Sequence, residues 1–192
     1  STIPSLHRFS TSRWMASASL NRARASSSWP SIRFRVAQAY FTQALAIHQE
    51  VGDRGAEGKA LGNLATLNRM EGQLDEARAR FSDALAIHRE VENRCSEGIV
   101  LGELGLIEVM DGKAQDALTV LRQGEAILRE INDPLQLGFL LCKRARAEHL
   151  ANRPDAAVAA LDEAEQIAED INIGPDGGLA QKIAEAKALL DE

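Results

Sequence analysis

The feature that most constrains the fold of this chain is a segment that occurs twice, forty residues apart. ALAIHQEVGDRGAEG begins at Ala44 and ALAIHREVENRCSEG begins at Ala84, with ten of the fifteen positions identical. A period between about 20 and 50 residues is typical of supersecondary units that stack along one direction. The chain is therefore expected to be an array of similar units, none of which can bury its apolar side chains alone.

The period extends beyond this segment, because equivalent positions forty residues apart form columns of one residue type. Three such columns are Ile47, Ile87, Ile127 and Ile167; Gly58, Gly98, Gly138 and Gly178; and Ala37, Ala77, Ala117 and Ala157. Inside each unit the apolar residues are three and four positions apart, which places them on one face of a helix. Each unit is thus predicted to contain helices with one apolar face.

Turn signals divide each unit into two helices. The first helices are predicted at Glu57–Met70, Glu97–Met110 and Leu135–Leu150. Gly72, Gly112 and Asn152 suit the left-handed conformation that ends such helices, and a second helix follows at once, to about Val91, Ile131 and Ile171. Asp133, just before Pro134, is the predicted N-cap of the third first helix.

The unit LGNLATLNRMEGQLDEARARFSDALAI resembles a tetratricopeptide repeat (TPR). The family pattern is matched by Leu61, Leu64-Ala65, Gly72, Ala77, Phe81 and Ala84, and equivalent residues recur in the next two units. The resemblance implies an all-α fold, a right-handed α-solenoid of antiparallel helix pairs. The family's standard unit has 34 residues, so these longer units are similar to those of kinesin light chains and bacterial multi-repeat regulators.

Three regions are expected along the chain. Residues 35–172 form the TPR-like array, with an orphan second helix before three full repeats, and residues 173–192 form a loop and a capping helix. Residues 1–34 are rich in Ser and Arg and lack acids. Three explanations remain open for this segment: a disordered tail, artificial extension or out-of-frame start; a degraded helix with Trp14 and Leu20 packed on the array; or a transit peptide.

Two positions inside the array have specific expectations. Leu104 lies in an interior column, so its replacement by Ala is expected to cost about 2–5 kcal/mol. Arg144 occupies the same column as Leu64 and Leu104. Because a buried guanidinium needs a partner, Arg144 is expected either to be partly exposed or to pair with Glu148 or Asp162.

The sequence offers no catalytic, metal or cofactor site. GDRGAEGKA resembles a phosphate-binding loop, but the loop is one residue too long and Ala60 replaces the required hydroxyl. His48 and His88 share a column without a third ligand nearby. After residue 49 the chain has 16 Lys and Arg against 28 Asp and Glu, which argues against nucleic-acid binding. No apolar run is long enough to span a membrane.

The expected functional surface is the concave groove, because first helices line the groove of tetratricopeptide proteins. Position by position, the resemblance assigns to this groove Lys59, Asn63, Thr66, Arg69, Ile99, Glu103, Leu106, Met110, Phe139, Lys143, Arg146 and His149. Asn63 matches an asparagine that hydrogen-bonds a peptide backbone in the family. The mixture suggests a central apolar patch with positive ends, suited to a peptide with apolar anchors and at least one acid.

The resulting hypothesis is a non-catalytic scaffold that binds a peptide or protein segment in the groove. The alternative is a regulatory module that senses a ligand or peptide within a larger signalling or transcription regulator. A third hypothesis assigns nucleic-acid contacts to the basic N-terminal arm alone. The chain is expected to be cytoplasmic, with a protein partner, no membrane partner and no cofactor. Self-association through exposed end helices is a further expectation.

Overall fold

The computed structural model describes residues 33–190, and every regular element among them is an α-helix. Helix α1 covers residues 33–51. Six helices of 17 residues follow, joined by turns of three residues: α2 (Arg54–Met70), α3 (Leu74–Glu90), α4 (Arg94–Met110), α5 (Ala114–Glu130), α6 (Pro134–Leu150) and α7 (Pro154–Asp170). Helix α8 (Gly178–Leu190) has 13 residues. The expectations for Trp14 and Leu20 fall outside the described residues.

The chain divides into two compact units. The first unit is Ser1–Tyr40, and its described residues, 33–40, are helical. The second unit, Phe41–Glu192, contains the rest of α1 and helices α2 to α8.

Polar side chains cap the first helix of each full repeat. Asp53, Asn93 and Asp133 each accept a hydrogen bond from the backbone N–H three residues later, at 2.9–3.0 Å. These bonds satisfy one of the amide groups left without a partner at a helix N-terminus. The N-cap predicted at Asp133 is confirmed. Helices α2 and α4 begin at Arg54 and Arg94, three residues before the predicted starts, because the helix begins directly after its cap.

The turns between units use the left-handed backbone conformation at a fixed position. Gly52, Glu92, Asn132 and Asn172 form this column, with φ between 54° and 72°. Gly and Asn adopt positive φ at low cost, whereas a glutamate does so against a steric penalty. Glu92 is therefore the one strained member of the column. The turns inside the units, at Gly72, Gly112 and Asn152, also have positive φ, as the sequence predicted.

The helices of the second unit pack as antiparallel pairs that stack into a right-handed solenoid. Helix α2 packs on α3, α4 on α5, and α6 on α7, while α3 and α5 contact the next pair. First helices also contact one another, α2 with α4 and α4 with α6, whereas α3, α5 and α7 make no such contacts among themselves. The first helices are therefore closer together, and the array curves with α2, α4 and α6 on its inner side.

Small residues inside each pair let the helices approach closely. Ala65 and Ala77 are fully buried against each other's helices, and Phe81 fills the space toward the next pair. Ile107 is fully buried in the same cluster. Leu104 is only half-buried, so its expected place in the interior was wrong: it packs on the edge of this cluster.

Ion pairs also repeat with the forty-residue period. Arg54 contacts Glu57 and Glu90 at 2.5 Å each. Arg94 reproduces these contacts with Glu97 and Glu130 at 2.5 and 2.8 Å. Each arginine thus joins the start of a first helix to the end of the following second helix. Glu90 and Glu130 are exposed, and exposed ion pairs contribute little to stability, whereas Glu57 and Glu97 are buried.

Arg144 is mostly buried and ion-paired, but its partner differs from the two expected ones. Its guanidinium lies 2.7 Å from a carboxylate oxygen of Glu125 on α5. Glu125 also accepts a hydrogen bond from Arg129 at 2.8 Å. Glu148 and Asp162 were therefore wrong as partners, because Arg144 extends back toward the preceding pair of helices.

Candidate functional site

The inner side of the array contains a cavity of about 290 Å³ between residues of α2, α4, α6 and α8. Ile99, Leu106, Phe139 and Leu189 form its apolar wall. Charged side chains from all four helices line the remainder. Seven of the residues predicted for the groove line this cavity: Arg69, Ile99, Glu103, Leu106, Phe139, Lys143 and Arg146.

The other five predicted groove residues lie outside the cavity wall. Lys59 and Asn63 are exposed on α2, and Met110 and His149 are exposed at the ends of α4 and α6. The hydroxyl of Thr66 donates to the Gly62 carbonyl of its own helix at 3.0 Å. These five side chains do not converge on one point. The hydrogen bond expected from Asn63 to a peptide backbone remains a prediction.

Glu103 is the central charged residue of the cavity. Its Oε1 accepts a hydrogen bond from Lys143 Nζ at 2.7 Å, and its Oε2 lies 3.2 Å from Arg69 Nε. The contact with Arg69 lacks hydrogen-bond geometry, so both of those buried atoms have no hydrogen-bond partner. Burial disfavours the charged form, yet Lys143 and Arg69 together hold the pKa of Glu103 below its usual value. Glu103 therefore links α2, α4 and α6 as a carboxylate.

Positive charge exceeds negative charge around the cavity, in contrast to the net charge of −6 for the chain. The lining cations are Arg69, Lys143, Arg146 and Lys182, and the lining acids are Glu103 and Glu185. Lys182 and Glu185 pair with each other at 2.5 Å. Burial, followed by the charge of Arg69, lowers the pKa of Arg146. Such a concentration of cations in a half-buried space favours an anionic ligand.

The groove assignment did not include the wall that α8 contributes. Lys182, Glu185, Ala186 and Leu189 all line the cavity. The forty-residue columns contain the missing signal: Ala186 and Leu189 lie forty residues after Arg146 and His149. Helix α8 therefore takes the position of another first helix, although the sequence suggested only a capping role.

Cys142 lines the cavity without the properties of a nucleophile. Burial raises the pKa of its thiol to about 11, so the thiol is protonated at neutral pH. Cys95 is also free, and its Sγ lies 3.3 Å from Asp133 Oδ2. Residues 33–190 contain no group of His, Cys, Asp and Glu that could hold a metal ion. No helix in that range is both long and apolar enough to cross a membrane.

Comparison with known proteins decides the family. A model of the tetratricopeptide repeat matches residues 17–90 and 59–130, which together are more than half of the chain. The chain belongs to the tetratricopeptide repeat family. TPR arrays generally mediate protein–protein interactions, and scaffold families of this kind are generally not enzymes. No curated protein matches this TPR chain in sequence.

Solved structures agree with the TPR fold. The crystal structure of BtubC (BKLC) from P. vanneervenii superposes with a TM-score of 0.64 at 19% identity, over 74% of this chain and 59% of that chain. This TPR chain thus spans about three fifths of that protein. A candidate kinesin light chain from Podosopora anserina with nearly identical TPR-like repeats gives a TM-score of 0.56 at 19% identity, over 88% of this chain and 82% of that chain. At these identities the likeness concerns the fold alone.

Proposed function

We propose that this protein is a non-catalytic scaffold that binds a segment of a partner protein in the groove formed by α2, α4, α6 and α8. The observation that supports this proposal is the cavity of about 290 Å³, in which apolar and cationic side chains from four helices meet. An apolar side chain of the partner would pack against Leu106 and Phe139. A carboxylate of the partner would pair with Arg146.

The two parts of this surface have different energetic roles. The apolar wall would contribute affinity, because a few well-packed apolar anchors dominate the free energy of most protein interfaces. Arg146 would contribute selectivity, since leaving a half-buried guanidinium without an anion is unfavourable whereas pairing it is not. A neutral peptide of the same shape would therefore bind more weakly.

The test is a selection of peptides from a random dodecamer library displayed on phage. We expect wild-type protein to enrich peptides that have an acidic residue beside an apolar residue, and Arg146→Glu to lose them. Arg122→Glu is the matched control, since Arg122 is exposed on α5, away from the cavity. Retention of the enriched peptides by Arg146→Glu would place their binding site elsewhere and contradict the proposal.

A second candidate function, sensing of a small ligand, is supported by the size of the cavity. A volume of about 290 Å³ is close to the lower limit of small-molecule sites, about 300 Å³. A ligand at one hundred times its dissociation constant would add about 2.7 kcal/mol to stability. A thermal-shift screen with anionic metabolites tests this function, and no shift at millimolar concentration would argue against it.

Self-association through α1 is a separate proposal. Ile47 and Val51 expose 49% and 68% of their surface in the second compact unit. Exposed apolar side chains at successive helical positions favour association with another chain. Light scattering after size exclusion at several concentrations tests this proposal, and a constant monomer mass would contradict it.

A further inference from the structure

Glu103 occupies the position at which the groove would otherwise offer two cations to an incoming acid. Its oxygens face Lys143 Nζ at 2.7 Å and Arg69 Nε at 3.2 Å. Only 18% of its side chain is exposed. Because this carboxylate belongs to the protein, it contacts both cations and balances one of their two charges in the absence of any partner.

Arg146 differs from the other cations of the cavity. Lys182 is paired with Glu185, and Arg69 and Lys143 are paired with Glu103. Within residues 33–190, Arg146 has neither an ion pair nor a side-chain hydrogen bond. It is nevertheless half-buried, in a wall that also contains Arg69. The cavity therefore keeps one cation whose charge is not compensated by a direct contact.

We propose that Glu103 is a specificity-determining residue, which acts as a built-in competitor and restricts the groove to partner segments with a single carboxylate, bound at Arg146. This inference rests on the proposed function of the groove. A second carboxylate on the partner could reach Arg69 or Lys143 only by displacing Glu103. Displacement would leave Glu103 buried and unpaired, or would place two acids beside each other, and both outcomes are unfavourable.

The position of Glu103 in the repeat explains how such a competitor arises. Asn63, Glu103 and Lys143 occupy one column at forty-residue intervals. The neutral side chain in the first unit is exposed, whereas the acid and the base in the next two units are adjacent on the inner surface. A change of charge along one column thus provides the protein with an internal ligand, without any change in the backbone.

The experiment compares Glu103→Gln with wild type in the same random dodecamer phage library. Glu103→Gln keeps the shape of the side chain and frees Arg69 and Lys143 from their anion. We expect wild type to enrich peptides with one acidic residue and the variant to enrich peptides with two. In calorimetric titrations, an enriched two-acid peptide should bind the variant at least about tenfold more tightly than it binds wild type. A hydrogen bond to a charged group changes affinity by about that factor.

Two controls separate charge in the groove from general effects of the substitution. Glu125→Gln removes another partly buried, ion-paired glutamate that lies outside the cavity, and we expect it to enrich the same peptides as wild type. The double variant Glu103→Gln/Lys143→Gln restores the net charge of the wild-type cavity. It leaves both Arg69 and Arg146 without an anion, so we expect it still to enrich peptides with two acids, and this variant also decides the question if Glu103→Gln alone fails to give a cooperative melt.

The same experiments distinguish a failure of this inference from a failure of the proposed groove function. Peptides that require Arg146, but whose acid content and affinity are unchanged within twofold in Glu103→Gln, would overturn this inference and leave the groove function intact. An absence of peptides that depend on Arg146 would overturn both proposals.

Discussion

Lys143 Nζ lies 2.7 Å from Glu103 Oε1, although the two residues occupy the same column of the repeat, forty positions apart. The bond joins α4 directly to α6 on the inner side of the array. Together with the contact between Arg69 and Glu103 at 3.2 Å, it connects three successive first helices. The groove floor is thus held by charge as well as by apolar packing.

Lys143→Met should destabilise the protein by about 3 kcal/mol, because it leaves the buried carboxylate of Glu103 with one imperfect partner. Urea unfolding at pH 7 measures the change in free energy. The control is Lys113→Met, since Lys113 is half exposed and lies 3.2 Å from Asp111. Its loss should be below about 1 kcal/mol. Equal losses in the two variants would contradict a structural role for the Glu103 pair.

His88→Leu should reduce the loss of stability in acid. Burial, followed by the charge of Lys59, lowers the pKa of His88, so the folded protein holds this imidazole neutral. The unfolded chain binds a proton below about pH 6.5, and stability therefore falls by up to about 1.4 kcal/mol per pH unit as the pH decreases further. The stability difference between His88→Leu and wild type should increase from pH 7 to pH 5 in urea unfolding.

The repeat itself suggests that leucine fits at position 88. Leu128 lies forty residues later and packs on Gly98, as His88 packs on Gly58. His149→Leu is the control, because His149 is exposed. A constant difference between His88→Leu and wild type across this pH range would contradict the assignment of acid sensitivity to His88.

Glu92→Asn should stabilise the protein by about 0.5–1 kcal/mol, because asparagine tolerates the left-handed backbone better than glutamate. Glu92 has φ of 54°, and Asn132 has the same value in the next unit. Differential scanning calorimetry should show a higher melting temperature. Glu71→Asn, at a turn position with φ of −86°, should show no such gain. A lower melting temperature for Glu92→Asn would show that glutamate makes a compensating contact.

Ile107→Ala should cost about 2–5 kcal/mol of unfolding free energy, because Ile107 is fully buried. Leu104→Ala should cost less, about 1–2 kcal/mol, because Leu104 is only half-buried and loses less apolar contact. Urea unfolding curves of the two variants would measure both losses. A larger loss for Leu104→Ala than for Ile107→Ala would reverse the assignment of interior and edge.

The sequence was sufficient to predict the repeat architecture, because helix ends and apolar faces depend on local signals. Gly72 and Asn152 mark turns through their backbone preferences alone. The positive φ of Glu92 was not predictable in this way. Glutamate has no preference for that conformation, and only the position of the turn within the repeat imposes it.

The groove was predictable in outline but not in its charge arrangement. The resemblance to tetratricopeptide repeats, carried over position by position, assigned Arg69, Glu103 and Lys143 to one surface, but it did not specify which side chains contact each other. Those contacts depend on the separation of the first helices and on side-chain conformation. Arg144 illustrates the same limit, since its partner, Glu125, lies on the preceding pair of helices.

The turns of three residues and the uniform 17-residue helices also restrict how the gene for this protein can change in length. One extra residue within α4 would rotate everything after it by about 100° and turn the later part of the proposed binding surface away from the earlier part. Duplication of a complete block of forty codons would instead lengthen the surface by one step and preserve its alignment. Relatives with a longer groove should therefore differ from this protein by whole blocks.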